Sequence, residues 1–568
     1  MPLRNFRRSA LNSIALALFA LSGEVVAQCG IDGPHETASG RVFLDNNGDG
    51  QYQRVETGIA DVAVSNGCEV VITDDDGYYE IALAATEILF VSKPASYRLP
   101  VDTDMLPQFF YRHYPTGTPD VVAGTSVQWL FPVVEPTGLL PETIDFPLLP
   151  LDASDEFTAH GFADTQARFE LSQDMLREDL INPLIGNPHN VDFGLTVGDV
   201  ANDNLSIYPR HKAMMGLMGM PQWYVPGNHD VNFASPDARH ANETYKRYFG
   251  PTYYSFNHGK VHFIVLNNVE YAGANREFAD GRYRGFIPPG QLHWLKNDLA
   301  HVDSEKLLVI ATHIPLLAEA SDGSSPVANG PNTENFRELL RILEPFDNLY
   351  GLAGHDTSNS WKVEINHSHG WNGTPWIAHT LAEVRGNGWT RGPADLRGVR
   401  DAMMEDGNPN GYYVLRFNDT NLVPEFIPFP FGPDAGKRLR ITLDPLLLAP
   451  VDTAINRGYL RPGTQVVVNL FDGGVRDRVW MSIDGQPRQP MRYSVRTDPY
   501  VERLHARYEN SDDAFGSARR SAHIWEAPLP AGLNPGLHHI VVTTEDEFGQ
   551  HQRGAFTFEL LEDQVPSD

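Results

Sequence analysis

With 568 residues, 41% of them hydrophobic and 21% charged, the chain is too long for a single core and too apolar to be disordered, so several domains are expected. Its formal charge of −29 argues against general affinity for nucleic-acid backbones or anionic membranes, because such a surface repels polyanions. A phosphorylated partner then needs local positive charge, which metal ions can supply. Composition says nothing about oligomeric state.

Residues 1–27 read as a signal peptide. Arg4, Arg7 and Arg8 precede the apolar run "ALNSIALALFALSG", and Val25-x-Ala27 offers a small-residue cleavage site. The run falls short of the roughly 20 residues a spanning helix needs, and no later segment is long enough either. The chain is therefore expected to be secreted or periplasmic. Removing residues 1–27, with three Arg and one Glu, leaves the remainder near −31. Cys29 and Cys68 are the only cysteines, and in an oxidising compartment their simplest state is one disulfide.

Residues 28–150 are short, β-rich and punctuated by Gly, Asp and Asn turns, as in "VAVSNGCEVVITDDDGYYEIAL", and predict a small antiparallel sandwich. Within it Asp45, Asn47 and Asp49, then Gly50 and Glu56, have the spacing of a calcium loop without the flanking helices of an EF-hand. Acidic hairpin turns share that pattern. Residues 151–432 alternate strand-like and helical runs, which predicts an α/β domain with ligands at its strand ends. The loop "AEASDGSSPVANGPN" follows one such end and is a candidate lid. Residues 433–568 return to short strands and fit a second β-sandwich.

Five successive strand ends of the central domain each deliver a metal-capable side chain: Asp164 with Gln166, Asp199, Asn228 followed by His229, His313, and His355. One such residue means little, since Asp and Asn are ordinary turn and cap residues. In a roughly parallel sheet, five of them lie along one edge and can meet.

The strings "ADTQ", "GDVAND", "GNHD", "ATHIP" and "GHDT" resemble, in order, the five motifs of the calcineurin-like metallophosphoesterase family. The flanking sandwiches resemble its secreted tripartite branch. The resemblance implies a four-layer α/β/β/α sandwich flanked by two β-sandwich domains, and a hydrolase that uses one or two divalent ions. Asp199 would bridge the ions. Asn228, His313 and His355 would complete one half-site, suited to Zn, Mn or Fe. Asp164 and Gln166 would belong to the other, where Gln166 and Thr357 replace the usual histidines; an oxygen-only set favours Mg or Mn. His367 and His369, in "INHSHGW", are the candidates to restore a nitrogen ligand.

The chemistry implied is attack of a metal-activated water on a phosphate mono- or diester. His229 is suited to protonate the leaving oxygen, or else to orient Asp203 or Asp230; Asp203 orients His229 or caps the next helix. Trp389, Asp395 and Asn410 line the pocket or form a packing corner. The substrate is expected to be a phosphorylated small molecule or surface polymer. The competing readings are a phosphate- or glycan-binding surface protein with a degraded metal site, and a calcium-stabilised structural protein.

Overall fold

Runs such as "FGLTV", "VHFIV" and "LLVIA" are mostly apolar and buried at every position, as strands covered on both faces are. The structure, a computed structural model, describes Cys29 and residues 35–122, 124–152, 154–279, 281–318, 330–449 and 455–562. The predicted signal segment and most of the candidate lid (319–329) lie outside the described residues.

The central domain has two sheets. In the first, β1 (Glu156–Phe162), β2 (Phe193–Val197) and β3 (Gln222–Val225) run parallel. In the second, β4 (Tyr254–His258) pairs antiparallel with β5 (Val261–Val265), which continues parallel to β6 (Leu307–Ala311) and β7 (Asn348–Ala353). β8 (Trp361–Ile365) forms the far edge, antiparallel to β9 (Trp376–Thr380), which runs parallel to β7. β10 (Gly411–Asn418) and β11 (Asn421–Pro428) complete the first sheet in the order β3-β2-β1-β10-β11.

The sheets meet through aromatic side chains: Trp223 stacks on Phe256 at 4.0 Å between ring centres, and Phe193 meets Phe263 edge-on at 5.3 Å. Helices cover the outer faces. The helical run beginning at α1 (Glu170–Leu176) passes through a π-helical turn at Arg177–Ile181 and packs Leu176, Leu180 and Leu184 with Phe162 and Val414 of the first sheet. The helices Pro289–Leu299 and Phe336–Leu343 bury Trp294, Leu295, Leu339 and Leu343 with the second. This is the four-layer arrangement expected.

The N-terminal region forms two four-stranded sheets whose core is continuous with the central domain, and a disulfide joins Cys29 to Cys68. The C-terminal region has a four- and a five-stranded sheet around a core of its own, including Val468, Met481, Trp525 and Ile540. Two helices were not legible in the sequence: Glu243–Phe249 and, in the C-terminal region, Pro499–Tyr508. Among the described residues, no helix is long and apolar enough to cross a membrane.

Candidate active site

Because β1, β2 and β3 are mutually parallel, as are β6, β7 and β9, each sheet delivers its C-terminal strand ends to a single edge. The two edges meet. The Gly354 amide follows β7 and donates to the His313 carbonyl at 3.0 Å, and the His355 amide donates to Asp164 Oδ2 at 2.9 Å. Asp164, Asp199 and His313 bring one ligand-type atom each within 4.8 Å of one another, and all three are buried. Among the described residues only Cys29, Cys68 and His293 form another such group, and there both cysteines are spent in the disulfide.

Asp199 stands at the centre. Its Oδ1 accepts the His229 amide at 2.9 Å and lies 3.1 Å from His313 Nε2. Its Oδ2 accepts Gln166 Nε2–H at 2.7 Å. His313 donates from Nδ1 to the Val197 carbonyl at 2.9 Å, which turns Nε2 towards Asp199 and Asn228 Oδ1, the latter at 3.0 Å. The His355 ring stands edge-on to His313 at 5.0 Å. All six predicted ligands therefore gather at this edge. The loops are tightly drawn: Asp164, Gln166, Asp199, Asp203 and His355 all have positive φ, from 35° to 74°. A Cβ on Gly227 would lie 2.1 Å from Asp199 Oδ1, and one on Gly354 2.3 Å from Asp164 Oδ2, so both carboxylates close on bare backbone.

The electrostatics show what the pocket lacks. Burial pushes Asp164 up to about 7 despite the pull of His313. Burial also opposes the charge on His313, but Asp199 outweighs it and raises the imidazole to about 9. Asp199 is held below the usual carboxylate range by His313 and His229 against the effect of burial, and burial beside His313 lowers His355 to about 3. Asp164 Oδ1 and Gln166 Oε1 are buried without a partner. Two unpartnered acceptor oxygens beside a carboxylate, an amide and two imidazoles form a donor set that fits divalent cations.

His229 lies just outside this set, with its side chain 33% exposed, and its Nδ1 is 2.7 Å from Asp203 Oδ1. Asp199 and Asp203 together raise its pKa against the effect of burial. Asp230 serves another purpose. Its carboxylate accepts the amides of Val200, Ala201 and Gly227 and the Tyr208 hydroxyl, which locks two loops together.

The geometry bears on several alternatives that the sequence leaves open. β8 runs antiparallel to β9, so residues after Ile365 emerge at the opposite end of the sheet; His367 and His369 are carried away from the site and cannot restore a ligand to it. Trp389 is a packing residue that donates from Nε1 to the Thr165 carbonyl at 3.0 Å, and Asp395 is exposed and caps its own turn by accepting the Arg397 and Val399 amides. Asn410 packs beneath Gly386, where a Cβ would meet its Oδ1 at 2.5 Å. In the N-terminal loop, Asp45 accepts the Gly48 and Gly50 amides at 2.7 and 2.9 Å, and Glu56 accepts those of Asn46 and Gln53 at 3.1 and 2.9 Å. Asn47 and Asp49 likewise accept the Asp49 and Gln51 amides. The side chains of that loop thus satisfy its own backbone amides.

One residue of the edge was missed. The last of the parallel strands, β9, runs on into Leu381-Ala382-Glu383, and Glu383 is fully buried. Burial and the neighbouring Asp164 push its carboxyl well up, with Arg385 opposing them. Extending the strand-end pattern by one strand would have found it.

A family model described as calcineurin-like phosphoesterase matches residues 160–359. Models of the N terminal and C terminal of calcineurin-like phosphoesterase match residues 46–122 and 379–551. No curated protein sequence matches the chain. Among solved structures, a purple acid phosphatase from yellow lupin (Lupinus luteus) seeds aligns with a TM-score of 0.33 and 13% identity, over 69% of this chain and 67% of that one.

Proposed function

Since the chain belongs to the calcineurin-like phosphoesterase family and is a metal-dependent phosphoesterase, we propose that it works outside the cytoplasm, hydrolysing a phosphate mono- or diester at a two-ion centre. The observation that carries this reading is the convergence of five strand-end donors from two sheets, with Asp164 Oδ1 and Gln166 Oε1 left unpartnered among them. Asp164, Gln166 and Asp199 would hold one ion, and Asn228, His313 and His355, with Asp199 shared, the other. Zn, Mn, Fe and Mg all suit one half or the other. When bound, such ions neutralise a phosphoryl group and lower the pKa of a coordinated water.

The remaining work falls to the chain's own residues. Asp203 fixes the ring of His229 through Nδ1, leaving Nε2 to deliver a proton to the leaving oxygen. The partial exposure of His229 lets a substrate reach it. The Asp230 lock holds the Asp199 and Asn228 loops together, so the donors are positioned before substrate arrives. Export is supported by the signal-like residues 1–27 and by the Cys29–Cys68 disulfide, a bond that persists in oxidising compartments.

The test is an assay of mature protein, stripped and reloaded with Mn, Zn, Fe or Mg, on an aryl phosphate monoester and the matching diester. Turnover that a chelator abolishes and metal restores is expected. The rival reading is motivated by Thr357, where the half-site lacks an imidazole; it predicts phosphate binding without turnover under any metal.

A further inference from the structure

The two-ion reading leaves the Asp164 half-site one donor short at Thr357, yet a buried carboxylate outside the family motifs stands beside it. Neither oxygen of Glu383 has a hydrogen-bond partner. Its backbone is pinned from both sides: the Leu381 amide donates to the Ala353 carbonyl at 2.9 Å, and the Val384 amide to the Ala163 carbonyl at 2.8 Å. Glu383 thus sits between the loop carrying Asp164 and the loop carrying His355 and Thr357. Trp389 fastens the same segment to Thr165.

An unpaired buried carboxylate is costly. Arg385 Nε lies 3.2 Å from Glu383 Oε2, but it is not aligned to donate and has no hydrogen-bond partner of its own. His313 and His229 face Asp199, and Arg385 is the cation beside Glu383, yet none of the three donates a hydrogen bond to either Glu383 oxygen. Counting Asp164 Oδ1 and Gln166 Oε1, four buried oxygens at this edge lack a donor. A hard divalent cation is the group that satisfies such a set.

We propose that Glu383 is a ligand of the ion held by Asp164, Gln166 and Asp199, supplying the donor that Thr357 does not. This inference rests on the two-ion reading. It adds a further carboxylate to an already oxygen-only half-site, a set that suits hard ions such as Mn or Mg.

Ion counting tests it without reference to turnover. Chelator-stripped mature protein is titrated with Mn(II), bound ions per chain are measured by calorimetry and elemental analysis, and electron paramagnetic resonance reports whether two Mn are spin-coupled. Wild type should bind two coupled Mn. Glu383→Ala and the isosteric Glu383→Gln should each keep one ion at wild-type affinity, weaken the other by about tenfold or more, and lose the coupled signal. Arg385→Ala should keep both. Two ions at wild-type affinity in both Glu383 variants would overturn the assignment. So would an equal loss in Arg385→Ala, because Glu383 would then act only as the arginine's counter-ion. Fewer than two ions in wild type would instead overturn the two-ion reading beneath it.

Discussion

The cleft and the seam between the central and C-terminal domains both bury several carboxylates, and they treat them in opposite ways. In the seam the carboxylates are matched by cations and amides; one oxygen, Glu547 Oε1, is left over, and that carboxylate still pairs with Arg476 through Oε2 at 2.6 Å. Asp472 meets Lys362 Nζ at 3.3 Å, His379 Nε2 at 2.9 Å and the Tyr413 hydroxyl at 2.8 Å. Asp406 accepts the Ser360 and Asn408 amides and pairs with His523, while Asp434 and Asp498 share Arg440. In the cleft, Asp164, Gln166 and Glu383 keep oxygens with no partner. Burial of acids therefore does not mark function here. What sets the cleft apart is that its unmatched oxygens cluster, and the ion ligands are proposed there.

The sharpest way to break this contrast is to remove donors from the cleft. Asn228→Ala and His313→Ala should each lower kcat/KM more than about a hundredfold, beyond what loss of an outer partner costs a metal site, with stability near wild type. Steady-state assay on the two aryl esters reads the first, and thermal melting the second. Near-normal turnover would put the chemistry elsewhere.

The seam should answer in stability. Asp472→Asn removes the nearest counter-charge of buried Lys362, leaving the more distant Asp477 and Glu547, and should cost about 3 kcal/mol in denaturant unfolding. The pH dependence has a definite sign. The folded pKa of Asp472 is depressed by His379 and Lys362 against the effect of burial, so its contribution is complete above the unfolded value of about 3.9 and is lost as pH falls through the lower folded value. The pKa of Lys362 is raised by Asp472 against burial, so its contribution is complete below the unfolded value of about 10.4 and is lost as pH rises through the raised folded value. Wild type should thus hold a broad plateau between them, which Asp472→Asn lowers.

His229→Ala should leave the ion count at two yet slow the reaction, by about a hundredfold for an alkyl ester that needs its leaving oxygen protonated and by less for a nitrophenyl ester that does not. Equal losses on both esters would remove His229 from the proton-transfer role. The smallest effect belongs to the N-terminal loop. With its carboxylates already taken by its own amides, millimolar calcium should shift the melting temperature by less than about 1 °C, whereas Asp45→Ala, which removes the hydrogen bonds to the exposed Gly48 and Gly50 amides, should cost about 1 kcal/mol. A large calcium shift would mean that the loop also binds an ion through its remaining lone pairs.

What was legible in the sequence was local. Strand-end motifs such as "GNHD" announce their donors because strand, turn and ligand are contiguous, and continuous apolar runs announce strands covered on both faces. Strand direction was not legible, and it is direction that takes His367 and His369 away from the site while bringing Glu383 to it. The matching of seam charges was equally hidden, since Asp472 and Lys362 lie 110 residues apart. The helix Glu243–Phe249 carries Tyr245 and Phe249 to the core on two turns, too short for periodicity to declare.

One side chain ties the two regions together. The Tyr413 hydroxyl donates to Asp472 of the C-terminal domain and accepts the amide of Ala382, the residue before Glu383, both at 2.8 Å. The outer domain is thereby two hydrogen bonds from the reaction centre, and the family's C-terminal unit, beginning at residue 379 inside the last parallel strand, spans both. A chimera between relatives that cuts at the visible gap after Pro428 would separate the hydroxyl from its acceptor. Crossovers placed before residue 379 would carry the tether intact, making this stretch the natural unit of exchange.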